Sequence, residues 1–244
     1  MDINKVIEVD ILAVGVHPDD VELMCSGTLL KHIAAGFSVG ILDLSLGELG
    51  TRGNANIRTQ EAFAAAKIMK AKFRTQLNLT DVFFEYSESS LRAIIQIIRE
   101  CRPKIVLINA KTDRHPDHGR AAVLVKDACY YSGLIKIETE WASKRQKEWR
   151  PQSVYHCIQD QFFKPDFVVD ITDFIEAKMN LITTFKSQFY DPNSTEPNSP
   201  ISSKDFLDAV KAQAKVAGRY VQKEYAEGFH ITRPIEIQNL FHII

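Results

Sequence analysis

Short runs of β-branched residues alternate with helical patterns along the first half of the chain. Each run is followed by a segment in which apolar residues recur every three or four positions, as they do on one face of a helix. This alternation is typical of a parallel sheet whose strands are joined by covering helices. We therefore predict an α/β, Rossmann-like fold with a mostly parallel sheet, helices on both of its faces and a functional site at the carboxyl ends of the strands.

The individual elements follow one another without a linker that would separate two cores, so residues 1–244 are expected to form a single domain. Strands are predicted at residues 10–16, 39–44, 73–79, 104–109, 154–158, 167–171 and, in the tail, 235–240. Helices are predicted up to Gly36 and at residues 59–69, 91–100, 118–131, 174–185 and 205–225. Residues 191–200 hold three prolines and no apolar residue, which indicates a loop or lid.

Charge and composition argue against several classes of partner. The 30 basic and 31 acidic residues leave a formal net charge of −1, which favours neither nucleic acid nor an anionic membrane. No apolar run approaches the ~20 residues of a membrane span, and the N-terminal residues lack the apolar core of a signal peptide. The four cysteines are widely spaced and are expected to be reduced and buried. We expect a cytoplasmic protein without a nucleic-acid or membrane partner.

Two His/Asp clusters follow predicted strands. HPDD occupies residues 17–20 after the strand at 10–16, and HPDH occupies residues 115–118 beyond the strand at 104–109. Because the carboxyl ends of parallel strands meet at one edge of the sheet, both clusters are expected to converge on one point. Taken alone, each segment could also be a helix N-cap. Together, after two buried strands, they favour a shared site.

The donor types in these clusters indicate a catalytic metal. Two imidazole nitrogens and one carboxylate oxygen leave a fourth position for water, as in catalytic rather than structural zinc sites. Fe²⁺ and Mn²⁺ accept the same donors. A bound Zn²⁺ lowers the pKa of water from about 15.7 to about 7, and Asp19, beside the ligands, is placed to accept the proton.

At these residues the chain resembles the LmbE-like (PIG-L) family of zinc-dependent N-deacetylases, and within it the bacillithiol-biosynthesis branch. The matching segments are AVGVHPDDVELMCSGTL (13–29), LDLSLGELGTRG (42–53), DRHPDHGRAA (113–122), FVVDIT (167–172), KSQF (186–189) and YAEGF (225–229). They follow one another in order over nearly the whole chain. The resemblance is therefore more specific than either His/Asp cluster alone.

The resemblance implies a role for each residue of the two clusters. It implies three metal ligands: His17, Asp20 and His118. Asp19 would be the general base. His115 would polarise the amide carbonyl or protonate the leaving amine, and Asp117 would orient His115 through a hydrogen bond.

Five residues outside the metal ligands are expected to contact substrate. Arg58 and Arg114 match family positions that hold hydroxyls or a carboxylate, although Arg58 could also be an ordinary surface arginine. Glu48 and Arg52 lie in a glycine-flanked loop that could instead be a simple tight turn, and Gln188 could be an ordinary loop residue. The assignments of Arg58 and Arg114 follow from the resemblance, and those of Glu48 and Arg52 from their place in the loop.

The chain departs from the family pattern at two places. Met24 and Ser26 replace small residues that are often glycine, and residues 109–112 are more polar than usual. We expect neither departure to touch a metal ligand. Both leave the chemistry intact and bear on substrate preference.

The sequence as a whole favours hydrolysis of the N-acetyl group of a GlcNAc conjugate, with N-acetylglucosaminyl malate of bacillithiol biosynthesis implied by the resemblance alone. Chitobiose or another GlcNAc conjugate is an alternative substrate. A non-catalytic metal- or sugar-binding protein would not need Asp19, and a metallophosphoesterase would need a second metal with more carboxylate ligands. The resemblance also implies a homo-oligomer, with a hexamer as the expected form. Residues 191–200, which are polar and lack apolar anchors, are expected to form a mobile lid beside the sugar pocket, or else a surface loop that touches nothing.

Overall fold

Seven strands form one mixed sheet in the computed structural model, which describes residues 5–242. The strands of the chain are β1 (Ile11–Gly15), β2 (Val39–Asp43), β3 (Phe73–Gln76), β4 (Ile105–Ile108), β5 (Glu140–Trp141), β6 (Lys144–Arg145), β7 (Ser153–Cys157), β8 (Phe167–Asp170) and β9 (Ala226–Ile231). The large sheet has the order β3-β2-β1-β4-β7-β9-β8, and β5 pairs with β6 in a separate small hairpin. The strands from β3 to β7 in this order are parallel, whereas β9 is antiparallel to both β7 and β8. The sheet is mostly parallel, as predicted.

Six α-helices pack against this sheet. They are α1 (Asp20–Ala34), α2 (Ala55–Met69), α3 (Glu88–Cys101), α4 (Pro116–Tyr131), α5 (Ile175–Ile182) and α6 (Lys204–Arg219). Single 3₁₀ turns lie at Thr172–Phe174 and Leu240–His242. Within residues 5–242, none of these helices combines the length and the apolar character that a membrane crossing requires.

Alternating side chains of the strands divide the core into two layers. In β1, Leu12 and Val14 pack with α3 and α4, while Ile11 and Ala13 pack with α1, α2 and α5. All four side chains are buried, because parallel strands are covered on both faces. The arrangement confirms the predicted α/β fold with helices on both sides. The four cysteines are buried and unpaired, as expected.

The end of the chain differs from the prediction. Helix α6 ends at Arg219 instead of residue 225, and residues 226–231 form β9, a strand that the sequence pattern did not reveal. Its alternation is hidden because Glu227 is a charged residue in a buried position. Residues 235–240, predicted as a strand, form no strand and are exposed. Their apolar alternation resembles an edge strand, but β8 and β3 occupy the two edges of the sheet.

Several other boundaries also differ. Helix α3 begins at Glu88 instead of residue 91, helix α4 begins at Pro116 instead of residue 118, and strand β3 ends at Gln76 instead of residue 79. Helix α2 begins at Ala55 instead of residue 59, because the side chain of Asn54 caps it by accepting a hydrogen bond from the backbone N–H of Ile57 (3.0 Å). Helix α5 is shorter than the predicted 174–185, since a 3₁₀ turn precedes it and it ends at Ile182.

A fully buried arginine ties β2, β3 and α1 together. The guanidinium of Arg74 on β3 donates to both carboxylate oxygens of Asp43 (2.8 Å each) and to Oε1 of Glu22 on α1 (2.7 Å). All three side chains are excluded from solvent. Because Asp43 ends β2 and Glu22 lies near the start of α1, this network lies directly beneath the edge of the sheet that carries the His/Asp clusters.

Replacing Arg74 should therefore destabilise the fold. Arg74→Met leaves two buried carboxylates without their cation, a change that typically costs about 3–5 kcal/mol. Urea unfolding should show this loss, whereas the control Arg92→Met, at an exposed pair with Glu88, should change the free energy of unfolding by less than about 0.5 kcal/mol. Equal effects of the two substitutions would contradict a special role for the buried network.

Candidate metal centre

Three imidazoles meet above the carboxyl ends of β1 and β4. His17 follows β1, and His115 and His118 lie at the start of α4, the helix that comes after β4. Each of the three histidines has a ring nitrogen that lies within 4.8 Å of a ring nitrogen of both others. The predicted convergence of the two His/Asp clusters is therefore present in the structure.

One carboxylate oxygen of Asp20 is fixed by the sheet itself. Its Oδ2 accepts hydrogen bonds from the backbone N–H groups of Val16 (2.9 Å) and His17 (3.0 Å) and from the side-chain amide of Asn109 beyond β4 (3.0 Å). The alternative of a simple helix N-cap fails for this cluster. The side chain of Asp19, at the N-cap position of α1, makes no capping hydrogen bond, and Asp20 bonds to groups that precede the helix.

Both histidines nearest Asp20 are oriented by a second carboxylate on the opposite ring nitrogen. His118 places Nε2 3.1 Å from Oδ1 of Asp20, and its Nδ1 lies 2.6 Å from Asp113. His17 places Nδ1 3.7 Å from Oδ2 of Asp20, and its Nε2 lies 3.1 Å from Asp81. Histidines that bind metals are usually held in this way, because the outer carboxylate fixes the tautomer and the orientation of the ring.

The donor types around Asp20 are those that bind a small divalent cation. The two distances to the imidazoles run to different oxygens of the carboxylate, 3.1 Å from Oδ1 to His118 and 3.7 Å from Oδ2 to His17. A second grouping of donors is formed by His17 with Asp81 and Asp117, all buried, and it uses the other nitrogen of His17.

Negative charge dominates the cluster. Burial lowers the pKa of His17, but the neighbouring carboxylates of Asp117, Asp20 and Asp81 outweigh burial and raise the pKa well above its usual value. Burial also lowers the pKa of His118, whereas the charge of Asp20 and the hydrogen bond to Asp113 raise it to about 9 overall. The carboxylates thus favour positive charge at this point, and a metal cation can supply it in place of the protons.

Asp19 is held in a strained conformation beside the cluster. Its φ of 143° lies in a region that favours glycine, a departure that costs about 1–3 kcal/mol where it occurs. Its carboxylate is buried and lies 3.1 Å from Nη2 of Arg58. Burial raises the pKa of Asp19 while the charge of Arg58 lowers it, and the result is a pKa of about 7. A carboxyl group with that pKa can accept a proton near neutral pH.

His115 is not oriented by the carboxylate of Asp117, which corrects the prediction. The His115 Nδ1 lies 4.0 Å from Oδ2 of Asp117 and instead accepts a hydrogen bond from the backbone N–H of Asp117 (3.3 Å), so His115 is the N-cap of α4. The Asp117 carboxylate contacts His17 (3.4 Å) and Arg120 (2.8 Å) instead. Because Nδ1 accepts, the neutral imidazole of His115 carries its proton on Nε2. Burial and the charges of His17 and His118 lower the pKa of His115, which favours this neutral form.

A cavity of about 350 Å³ opens from the cluster. Four of the predicted substrate-contacting residues line it: Arg52, Arg58, Arg114 and Gln188. Glu48 does not line it. The exposed Glu48 side chain instead accepts a hydrogen bond from the backbone N–H of Asp81 (2.8 Å) and so positions the segment that carries Asp81. Ser199 and Pro200 also line the cavity, which confirms that the loop at 191–200 borders it.

Four residues that hold the cluster were not identified from sequence: Asn109, Asp81, Asp113 and Gln159. Asn109 belongs to the polar segment 109–112, which does not include a predicted ligand, but its side-chain amide donates directly to Asp20 (3.0 Å). Gln159 closely follows β7 and donates to Oδ1 of Asp20 (2.8 Å), so its position at a strand end is a usable signal. Asp81 has no local signal.

Comparison with known proteins agrees with this geometry. The sequence profile of the PIG-L family, described as GlcNAc-PI de-N-acetylase, matches residues 12–129. A diacetylchitobiose deacetylase of Thermococcus kodakarensis is 30% identical over 189 residues, which cover 73% of this chain and 70% of that protein. The chain belongs to the PIG-L (LmbE-like) deacetylase family.

Solved structures of similar proteins match nearly the whole length of this chain. A conserved protein from Thermus thermophilus has a TM-score of 0.82 and 32% identity, covering 94% of this chain and 97% of that one. The N,N'-diacetylchitobiose deacetylase of Pyrococcus horikoshii has a TM-score of 0.76 at 24% identity, covering 91% and 83%. The α/β architecture of this PIG-L protein is thus the one found in these structures.

Removing one carboxylate that orients a histidine should weaken metal binding without abolishing it. Asp113→Asn should lower the affinity for zinc by about 10- to 100-fold, measured by competition with a chelator, because the His118 ring loses its charged partner. Asp20→Ala and His118→Ala should lose most bound zinc, whereas the control His32→Ala, on the outer part of α1, should retain it. Unchanged zinc affinity in Asp20→Ala or His118→Ala would refute this ligand set.

Proposed function

We propose that this protein is a zinc-dependent N-deacetylase that removes the acetyl group from a GlcNAc conjugate. The observation that carries the proposal is a buried carboxyl group, Asp19, which is held 3.1 Å from Arg58 directly beside a His/Asp cluster. Membership of the PIG-L family and the similarity to a diacetylchitobiose deacetylase support the choice of reaction.

The residues proposed to hold the metal are His17, Asp20 and His118. This set is preferred over His17 with Asp81 and Asp117, because Asp81 and Asp113 then orient the two imidazoles from outside. A bound Zn²⁺ supplies a Lewis acid that lowers the pKa of water and polarises an amide carbonyl, and Fe²⁺ or Mn²⁺ could serve in the same role.

Asp19 is proposed to accept the proton of the attacking water. The water oxygen forms a bond to the acetyl carbonyl carbon, the C–N bond breaks, and the accepted proton passes to the departing amine nitrogen, which gives acetate and a glucosamine derivative. Arg58 bonds to Asp19 and to the backbone carbonyl groups of Pro18 and Gly47, so it holds the carboxylate in place. A strained residue with such fixed partners suits catalysis better than metal storage.

His115 is proposed to stabilise the negative charge that develops on the carbonyl oxygen. Its Nε2 carries the proton in the neutral form, and its side chain is half-buried, so the donor is partly shielded from water. A donor of this kind is typically worth about 10²–10³ in kcat. Asp117 acts on His17 and not on His115 in this scheme.

The substrate proposed is N-acetylglucosaminyl malate of bacillithiol biosynthesis. The segments that carry the resemblance to that branch support it, as does the presence of Arg52 in the wall of the cavity. Chitobiose and other GlcNAc conjugates are the competing substrates. A cytoplasmic location and a homo-oligomer, with a hexamer as the expected form, are proposed on the family resemblance alone.

A panel of GlcNAc conjugates should identify the substrate. The zinc-loaded protein is incubated with N-acetylglucosaminyl malate, diacetylchitobiose and free GlcNAc, and released amine is measured. We expect the malate conjugate to have the highest kcat/KM. If kcat/KM is higher for diacetylchitobiose, then diacetylchitobiose becomes the preferred substrate instead of the malate conjugate. If the zinc-bound protein releases no amine from any conjugate, the deacetylase function is refuted.

The pH dependence should follow the ionisation of Asp19. Since the reaction needs the carboxylate, kcat/KM should fall about tenfold per pH unit as the pH decreases below about 7, where Asp19 becomes protonated. The Asp19→Asn protein should keep its zinc and have a kcat/KM that is lower by about 10²- to 10⁴-fold. Its kcat/KM should also no longer decrease as the pH falls below about 7. An Asp19→Asn protein with near-normal activity, or an unchanged acidic limb, would assign the base to another residue.

A further inference from the structure

Arg52 is a buried arginine with an unsatisfied guanidinium. Its side chain lines the cavity, and the residue is only 4% exposed. The guanidinium donates one hydrogen bond, from Nη2 to the hydroxyl of Ser194 (2.5 Å), and its buried Nε has no partner. Within residues 5–242, no carboxylate forms an ion pair with Arg52.

The other two arginines of the cavity are already paired. Arg58 bonds to Asp19, and Arg114 forms an ion pair with Asp160. Leaving a charged group buried without a counter-ion is costly, so such groups in proteins are normally paired. Arg52 is therefore the arginine of this cavity that is available to an anion from outside the chain.

The position of Arg52 is fixed from both sides of its loop. Gly47 and Gly53 have positive φ angles of 64° and 68°, and a Cβ atom would lie 2.1 Å from Arg58 at the first and 2.9 Å from Ser187 at the second. The side-chain amide of Gln188 donates to the backbone carbonyl of Arg52 (2.8 Å). A loop that requires glycine at both ends and is held by Gln188 presents the guanidinium at a defined point of the cavity.

We infer that Arg52 binds an anionic group, a carboxylate or a phosphate, in the part of the substrate that is attached to the sugar. The inference rests on the proposed function. The N-acetylglucosamine unit is itself neutral, so an anion in the cavity has to come from the group conjugated to it. A planar guanidinium with several unused N–H groups is suited to a carboxylate or a phosphate, which it can bind through two parallel hydrogen bonds.

Ser194 connects this anion site to the loop at 191–200. The hydroxyl that accepts from Arg52 is half-buried, and Ser199 and Pro200 of the same loop line the cavity. A purely structural role for Arg52, which would be to anchor this loop, has a distinct consequence. In that case the loss of Ser194 should have the same effect as the loss of the arginine, whatever the charge of the substrate.

The test compares three GlcNAc conjugates that share one linkage and differ in one group: a carboxylate, a phosphate and the neutral methyl amide of the carboxylate. Arg52→Gln should lower kcat/KM for the preferred anionic conjugate by about 10- to 100-fold, mostly through KM, as expected for a lost charge-assisted contact. It should change kcat/KM for the neutral conjugate by less than about threefold. Arg52→Lys should recover part of the loss, and Ser194→Ala should affect all conjugates alike and only weakly.

A binding measurement provides a second readout. Calorimetry with the deacetylated anionic product should show that Arg52→Gln binds this product with about 10- to 100-fold lower affinity than the wild type. The control Arg145→Gln, which changes an exposed arginine, should bind it as tightly as the wild type does. The carboxylate and phosphate conjugates distinguish the two sources of the anion. Equal losses on anionic and neutral conjugates, or equal effects of Arg52→Gln and Ser194→Ala, would overturn the anion site while leaving the deacetylase function intact. A wild type inactive on all three would refute the function itself.

Discussion

The buried carboxylate of Asp20 is the constraint on which the site depends. Its oxygens accept hydrogen bonds from the backbone at the end of β1, from Asn109 after β4 and from Gln159 after β7. Three neighbouring parallel strands thus end on one side chain. Because a buried carboxylate is stable only when it is bonded in this way, the register of the sheet and the position of the proposed metal ligand are set together. The imidazole of His118 completes the arrangement from α4.

The other buried carboxylates near the site form two groups, one below and one above the edge of the sheet, and each group has its own source of positive charge. Below the edge of the sheet, Arg74 neutralises Asp43 and Glu22 with direct, solvent-free hydrogen bonds. Above the edge, the carboxylates around His17 and His118 raise the pKa values of both imidazoles, so this region favours an added cation. Helix α1 takes part in both, because it carries Asp20 of the upper cluster and Glu22 of the lower network. The lower network needs no ligand, whereas the upper one has the donor types of a catalytic zinc site.

The sequence predicted what is encoded locally and missed what depends on contacts between distant segments. Two His/Asp motifs after strands were enough to place His17, Asp20 and His118 together, because parallel strands end at one edge. Asp81 could not be found, since it lies on an irregular segment after β3 and reaches His17 only in the folded chain. Strand β9 was missed for a related reason. Its Glu227 looks like a surface residue, but Lys178 of α5 and the backbone N–H groups of Gly27 and Thr28 satisfy the buried carboxylate.

Burial and Arg58 shift the pKa of Asp19 in opposite directions, and Arg58 does so from an unusual position for a cation. Burial raises the pKa of this carboxyl group, the guanidinium of Arg58 lowers it, and the overall result is a pKa of about 7. Arg58 lies in the first turn of α2, where the helix dipole disfavours a cation. The carbonyl groups of Pro18 and Gly47 offset that cost by accepting from the same guanidinium. The guanidinium of Arg58 is held by three acceptors, one of them the carboxylate of Asp19, so we assign Arg58 to tuning the base and recognition of a charged substrate to Arg52.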